Sequence, residues 1–311
     1  MPGARHTRSG TVQSASLRID VSHHTPFRGS VEAAAWLFAP PHGERLHPEL
    51  LVCLHGATCD HRYFHAEFTH HSGYSFAEYF TSLGYYVLAI DHPGMGSSVR
   101  PEPERLLTRE VVATANDHIV RQVIQGLANG SWFGHPPRPA LRVTGLAHSL
   151  GGMLGIAQQA RHRTFARLAV LGWSNIGVRF EGEEARGMSE AAARDGYLPA
   201  PRALTRALFH LPDVPADLIE EDDARASLTP ANLGRAAMTP GIVARAAAQI
   251  ECPLLLLYGE VDTSPDPHAE VEFYRACRDI TLVVLRGSAH MHNHASTRRD
   301  GWRRIAQWLE S

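Results

Sequence analysis

The chain alternates short apolar runs with longer segments in which apolar residues recur at helical spacing. Two runs near the start mix apolar with polar or small residues, whereas six later runs are almost continuously hydrophobic. A strand that helices cover on both faces has this second pattern, because neither face meets water. The predicted strands are LRIDVS (17–22), VEAAAWLFA (31–39), LLVCLH (50–55), YYVLAI (85–90), LRVTGLA (141–147), ARLAVLG (166–172), PLLLLYG (253–259) and ITLVVLR (280–286).

Five connecting segments predict the helices that would cover such a sheet. In each of them the apolar residues fall on one face of a helix. The alternation of strands and helices is typical of an α/β fold. We therefore predict a mostly parallel, twisted, eight-stranded sheet with an antiparallel start and flanking helices. The helical segments are 76–84, 107–129, 153–163, 268–278 and 297–311.

One long segment interrupts this alternation. Between about 175 and 248 there is no strand candidate, and alanine- and arginine-rich helical pieces are separated by prolines. So long an interruption between two core strands indicates an insertion over one end of the sheet. We predict a helical lid, residues 176–248, inserted after the sixth strand. The core comprises 17–175 and 249–311, and the polar, aperiodic residues 1–16 form a flexible tail.

Composition and charge restrict the partners. The 311 residues are 44% hydrophobic, which is enough for a large core, and 30 basic against 32 acidic side chains give a formal net charge of −2. Without a long basic run or an apolar stretch of about 18 residues, neither nucleic acid nor a membrane is an expected partner. We expect a soluble, cytoplasmic protein with a small-molecule substrate, and the sequence leaves a homodimer open. The four cysteines do not form a disulfide framework.

A serine follows one predicted strand in the run GLAHSLGG (145–152). Ser149 lies between the strand 141–147 and a helix that starts near Leu150. A tight strand-to-helix turn forces the serine into an unfavourable backbone conformation, which requires small residues two positions away on each side. Ala147 and Gly151 meet this requirement. The run predicts a nucleophile elbow, although a serine N-cap followed by glycines would have the same short pattern.

Two later strand ends carry the residues that could activate this serine. A serine hydroxyl needs a base to take its proton, and the base needs a third group to orient it. In a parallel sheet these partners lie at the carboxyl ends of strands. Asp262 follows the strand 253–259, and His290 follows the last strand. Asp266 is a rival for the acid, four residues farther along.

The end of the third strand supplies a candidate oxyanion hole. His55 and Gly56 form a turn there, and Ala57 follows. The Ala57 N–H could join the Leu150 N–H to bind the negative charge of a tetrahedral intermediate. An ordinary His-Gly turn is the alternative.

Together these motifs resemble the α/β-hydrolase superfamily, in its lid-bearing, serine esterase-like branch. The resemblance implies Ser149 as nucleophile, His290 as general base and then acid, and Asp262 as orienting carboxylate. It implies Ala57 and Leu150 as oxyanion donors. Ala147 replaces the first elbow glycine of the family pattern. The motifs are the His-Gly turn at 55–56, DHPGMGSS (91–98), AHSLGG (147–152), YGEVD (258–262) and GSAH (287–290).

Several further residues have weaker patterns. His290, His292 and His294 alternate, but no cysteine or carboxylate nearby completes a metal set, and His61 with His65 lacks the glutamate of the H-E-x-x-H pattern. No metal site is therefore predicted. The dinucleotide fingerprint is incomplete around Gly94 and Gly96, which indicates a tight turn. The pocket wall is predicted to include His55, Gly56, His61, Tyr63 and His148.

The arginines of the predicted lid are interpreted as a solvated face, and its apolar pieces as a roof over the substrate. These arginines are Arg179, Arg186, Arg194, Arg202, Arg206, Arg225, Arg235 and Arg245.

The sequence thus predicts a cofactor-independent serine hydrolase. It would cleave a small or medium-sized carboxylic ester or lactone through an acyl-serine intermediate. Serine at the elbow disfavours epoxide and halide chemistry, for which relatives use a carboxylate nucleophile. A thioesterase or a carbon–carbon bond hydrolase with the same triad remains an alternative. A catalytically slow ligand-binding receptor on the same fold is a second one.

Overall fold

One nine-stranded sheet organises the chain. A computed structural model describes residues 5–9, 12–41, 46–178, 183, 186, 187, 190, 193–199 and 201–311. The strands are β1 (Arg5–Ser9), β2 (Val12–Asp20), β3 (Glu32–Ala39), β4 (Glu49–Leu54), β5 (Tyr86–Ile90), β6 (Arg142–His148), β7 (Arg167–Leu171), β8 (Tyr197–Leu198), β9 (Thr229–Pro230), β10 (Leu254–Gly259) and β11 (Ile280–Leu285).

The large sheet has the order β1-β2-β3-β5-β4-β6-β7-β10-β11. The pairs β1/β2, β2/β3 and β3/β5 are antiparallel, and the five remaining pairs, from β5/β4 to β10/β11, are parallel. All eight predicted strands form, so the mostly parallel sheet with an antiparallel start is confirmed.

The start of the chain differs from the predicted tail. Within residues 1–16, β1 pairs with β2, and β2 begins at Val12 instead of residue 17. An edge strand is held by main-chain hydrogen bonds to one neighbour and needs no apolar face. The hydrophobic pattern therefore could not reveal it.

Helices cover both faces of the sheet. The residues of β4 alternate between two cores: Leu50 and Val52 pack with α2 and α3, and Leu51 packs with α1 and α8. This alternation explains the unbroken apolar run, because each face of the strand has its own hydrophobic partner. The helices are α1 (Phe76–Ser82), α2 (Arg109–Ala128), α3 (Leu150–His162), α4 (Arg206–Phe209), α5 (Ala216–Ala224), α6 (Ala231–Ala237), α7 (Ala244–Ala247) and α8 (Arg298–Glu310).

Short 3-10 helices occupy several connections. The predicted helix at 268–278 contains one of these instead of an α-helix, and there the buried Glu270 carboxylate accepts hydrogen bonds from Ser174 and Asn175. None of the helices in the described ranges is both long and apolar enough to cross a bilayer. The 3-10 helices are Ser22–His24, His61–Tyr63, Glu104–Leu106, Ala269–Phe273 and His292–His294.

The inserted segment, residues 176–248, connects β7 to β10. Its described part contains α4 to α7 and an antiparallel pair of two-residue strands, β8 and β9, which the sequence did not predict. Strands of two residues carry too little pattern to be recognised. Residues 179–182, 184, 185, 188, 189, 191, 192 and 200 lie outside the described residues. The lid and its boundaries stay a prediction.

The first turn of α3 packs directly on the end of β4. A Cβ atom added at Gly151 would lie 2.2 Å from the Leu54 carbonyl oxygen and 2.6 Å from that of His55. Both atoms belong to the backbone and cannot rotate away. This close approach fixes the distance between the turn after β6 and the loop after β4.

We expect Gly151→Ala to destabilise the protein by about 1–3 kcal/mol, because overpacking moves the backbone. The matched control is Gly29→Ala, since nothing lies within 4 Å of a Cβ added there. That change should stay within about 0.5 kcal/mol of the wild type. Urea unfolding measures both, and equal stability of the two variants would contradict the packing argument.

Candidate active site

Ser149 occupies the turn between β6 and α3, as the sequence predicted. Its backbone has φ 55° and ψ −122°, a conformation that L-residues rarely adopt. The Ser149 N–H donates to the Leu171 carbonyl at 2.8 Å, which ties the turn to the end of β7. The flanking Ala147 and Gly151 are buried and leave room for the turn. Packing on both sides therefore maintains the strained conformation.

His290 and Asp262 meet at the ends of β11 and β10. His290 Nδ1 lies 2.6 Å from Asp262 Oδ1, and the two side chains are only 3% and 1% exposed. An ionised carboxylate can only accept, so the proton of this hydrogen bond lies on Nδ1. His290 Nε2 is then left as a proton acceptor. The rival acid, Asp266, is exposed and accepts from the His268 and Ala269 N–H groups instead.

Asp262 is held as a carboxylate. Burial raises the pKa of Asp262, but His290 and His292 more than offset this and hold the pKa well below its ordinary value. Two backbone N–H groups also donate to its oxygens, from Gly259 at 2.7 Å and Thr263 at 2.6 Å. The carboxylate can thus orient an imidazole without itself taking a proton.

His292 is a second histidine on the same carboxylate, and the sequence analysis missed it. Its Nε2 lies 2.8 Å from Asp262 Oδ2. His290, His292 and His294 alternate in the sequence, and a strand would place all three on one face. The chain instead turns into a 3-10 helix, His292–His294, which brings His292 back to Asp262. Only that turn decides the contact.

A cavity of about 170 Å³ connects the candidate catalytic groups. Ser149 and His290 both line it. The Ser149 hydroxyl makes no hydrogen bond with any described residue and is half-buried. Nucleophile and base are often farther apart in a free site than in a complex. Both groups are therefore accessible from one cavity.

Two unpaired amides lie at the same cavity. Ala57 and Leu150 line it, and neither N–H donates to an acceptor within the described part of the chain. Leu150 is the first residue of α3, so the positive end of the helix dipole lies there. Two free donors at a helix N-terminus can bind developing negative charge.

The cavity wall is mainly apolar and draws on both the core and the inserted segment. From the core come Trp173 and Met291, together with His148, and Val178 lies at the start of the inserted segment. The inserted segment contributes Leu198, Pro199, Pro201, Leu208, Phe209 and Met238.

Four of the predicted pocket residues lie behind the cavity, so this part of the sequence prediction needs correcting. Of the five, only His148 is a lining residue. Gly56 packs on Ser149, and a Cβ there would lie 2.9 Å from the serine Cβ. Tyr63 stacks on His148 with 4.3 Å between ring centroids, and His55 is buried beside His92.

His61 stacks on Trp36 and belongs to one set of possible metal ligands. Asp60, His61 and Asp91 each offer an atom within 4.8 Å of the others. These ligands already have partners, because Arg62 binds both oxygens of Asp60 and the His61 N–H donates to Asp91 at 2.6 Å. The carboxylates of Asp60 and Asp91 thus both take part in hydrogen bonds within the protein.

Gly94 and Gly96 both have positive φ, 86° and 54°. A Cβ added at Gly96 would lie 2.2 Å from Asp91 Oδ2. Both observations agree with the tight turn that the sequence analysis inferred.

The arginines of the inserted segment do not all lie on a solvated face. Arg202 is buried, which corrects that interpretation, and Arg235 is half-buried at the cavity. Arg179 lies outside the described residues. The exposed members are Arg186, Arg194, Arg206, Arg225 and Arg245.

The family follows from the sequence and the fold together. The model of the alpha/beta hydrolase family matches residues 51–301. The chain belongs to the α/β-hydrolase family. This membership confirms the resemblance drawn from the motifs and places the protein among hydrolytic enzymes. No curated protein sequence matches this α/β-hydrolase significantly.

Solved structures share the fold of this α/β-hydrolase at low sequence identity. A bromoperoxidase from Bacillus anthracis has a TM-score of 0.67 at 13% identity, covering 95% of this chain and 100% of its own. An esterase from Exiguobacterium antarcticum has a TM-score of 0.65 at 14% identity, covering 92% and 98%. Proline iminopeptidase from Mycobacterium smegmatis has a TM-score of 0.61 at 18% identity, covering 99% and 98%. Their different reactions show that the fold alone does not select a substrate.

Buried histidines surround the site and the loops behind it. Burial lowers the pKa of His148 and His92 well below the ordinary value, and it lowers that of His210 to about 3. It also lowers the pKa of His55 and His294. Below about pH 6.5 these histidines take up protons in the unfolded chain but stay unprotonated in the folded protein. These histidines therefore favour the folded state above that pH and favour it less as the pH falls.

We expect the free energy of unfolding to decrease between pH 6.5 and 5, by up to about 1.4 kcal/mol per pH unit for each such histidine. His92→Gln should reduce this slope by up to about 1.4 kcal/mol per pH unit, because one proton fewer is taken up on unfolding. The exposed His70→Gln should leave the slope unchanged. Urea unfolding at several pH values measures the slope. Equal slopes for wild type and His92→Gln would show that His92 is not held neutral.

Proposed function

We propose that the protein is a serine hydrolase that cleaves a small or medium-sized carboxylic ester or lactone. The observation that carries this proposal is the common cavity of Ser149, the His290–Asp262 pair and the unpaired amides of Ala57 and Leu150. A nucleophile, an oriented base and donors for an oxyanion are the parts that acyl transfer requires. In this proposal the inserted segment acts as the lid.

The reaction proceeds in two halves. His290 Nε2 takes the proton of the Ser149 hydroxyl as its oxygen attacks the ester carbonyl, and the two amides bind the resulting oxyanion. His290 then gives the proton to the alcohol oxygen as the carbon–oxygen bond breaks. Water attacks the acyl-serine by the same route, with His290 as base, and releases the carboxylic acid. Asp262 remains ionised and stabilises the imidazolium in both halves.

The cavity supports an apolar substrate group of limited size. A cavity of about 150 Å³ lined by apolar side chains is known to hold benzene, and this one has about 170 Å³. Side chains such as Trp173, Leu208, Phe209 and Met238 surround that space. An acyl chain or ring of about six carbons fits these dimensions.

A fluorophosphonate probe tests the nucleophile without knowledge of the natural substrate. We expect it to label the wild type at one site, and Ser149→Ala or His290→Ala to lose labelling, because serine reacts only when its base is present. The control is exposed Ser82→Ala, which should label normally. Mass spectrometry locates the adduct. Unlabelled wild-type protein with no turnover would favour the ligand-binding receptor.

A panel of 4-nitrophenyl esters tests the cavity. We expect kcat/KM to rise by about fourfold per methylene from acetate to hexanoate, because each buried methylene contributes about 0.8 kcal/mol. The rise should stop once the chain outgrows the cavity. Lactones, thioesters and diketones belong in the same panel. Turnover of thioesters or diketones far above that of esters would replace the ester proposal with the corresponding alternative.

A further inference from the structure

The residue after the candidate oxyanion donor is held by the inserted segment. Thr58 follows Ala57, and its φ of 64° is strained for a threonine. Its carbonyl accepts hydrogen bonds from Ser227 N at 2.8 Å and from Arg202 Nη2 at 3.0 Å. Its N–H donates to Thr229 Oγ1 at 2.9 Å, and its hydroxyl accepts from Arg202 Nε at 3.1 Å. Every polar group of Thr58 thus has a partner in the inserted segment.

Arg202 is the buried centre of this contact. Its side chain is only 6% exposed, and its third nitrogen, Nη1, pairs with Asp222 at 2.5 Å and Asp223 at 3.2 Å. The two carboxylates compensate the buried charge, while the other two nitrogens donate to Thr58. Lysine could keep the ion pair but could not reproduce this fork.

The same stretch of chain also holds the loop that carries the candidate base. Main-chain N–H groups of His290 and Met291 donate to the carbonyls of Leu208 and Phe209, at 3.0 and 3.1 Å. Residues 202–209 therefore connect the loop of the oxyanion donor with the loop of the base. Neither loop can shift without breaking hydrogen bonds to this stretch.

We propose that Arg202 is a positioning residue, which acts through Thr58 to hold the Ala57 N–H in the geometry that stabilises the oxyanion. This inference rests on the proposed hydrolase function. Thr58 directly follows Ala57, and its strained backbone does not by itself hold the Ala57 amide in place. The two hydrogen bonds that the Arg202 fork donates to Thr58 supply this constraint. A donor displaced by about 1 Å loses much of its effect on the transition state while substrate binding is retained.

The main test compares two Arg→Lys changes in one short stretch. Arg202→Lys should lower kcat on the best ester of the panel by about 10–100-fold, with KM within about threefold, because only the transition state carries the full oxyanion charge. Arg206→Lys is the matched control and should stay within about twofold, since Arg206 is exposed and its side chain pairs with Asp223 at 3.4 Å. Hydrogen exchange of the peptide covering 56–60 should accelerate in Arg202→Lys alone.

A second variant removes a different hydrogen bond of Thr58, the one that its N–H donates to Thr229. Thr229→Val removes the hydroxyl that accepts from Thr58 N and keeps the side-chain shape. It should lower kcat in the same way, and the double variant should lose less than the product of the two single effects, because both act through one residue. This variant decides the question if Arg202→Lys does not fold.

Unchanged kcat in both folded variants, or a raised KM with unchanged kcat, would overturn the role of Arg202. In that case normal labelling and turnover of the wild type would leave the hydrolase proposal intact. A wild type that neither labels at Ser149 nor turns over any ester would overturn both.

Discussion

The contact of α3 with the end of β4 is the constraint on which the site depends. Gly151 lies so close to the Leu54 and His55 carbonyls that no side chain could stand there. This contact sets the turn at Ser149 beside the loop that carries Ala57. Ser149 adopts an unfavourable positive φ in this turn, and its buried neighbours maintain that conformation. The nucleophile and the Leu150 donor are thereby fixed by the packing of the core.

A second constraint is electrostatic. Asp262 is almost fully buried and accepts from two imidazoles and two backbone N–H groups. Such a carboxylate stays ionised, because every oxygen has donors that favour the charged form. The nearby His148 is held neutral by burial and by the two other histidines. The buried carboxylate gives the His290 ring a fixed orientation, with Nδ1 toward Asp262 and Nε2 left for the proton transfer of a general base.

The inserted segment contributes to the candidate site in two ways. It supplies much of the apolar cavity wall, and it binds the backbone of the loops on either side of Ser149. Arg202 shows why charge alone does not reveal such a role. In sequence it is one arginine among many in an alanine- and arginine-rich segment. In the fold it is buried against Thr58 with two carboxylates as counter-charges.

The sequence by itself determined the eight main strands and the elbow at Ser149. It also determined that Asp262 and His290 follow Ser149 in this order, each after a strand. Those features depend on periodicity and on residues adjacent in the chain, which hydrophobic runs and small-residue spacing record directly. The tertiary structure alone decided that β1 joins the sheet edge, because main-chain pairing leaves no hydrophobic pattern. It also decided the contacts of His292 with Asp262 and of Arg202 with Thr58, each of which joins distant parts of the chain. Such contacts depend on how loops turn after their strands, and no local spacing encodes that direction.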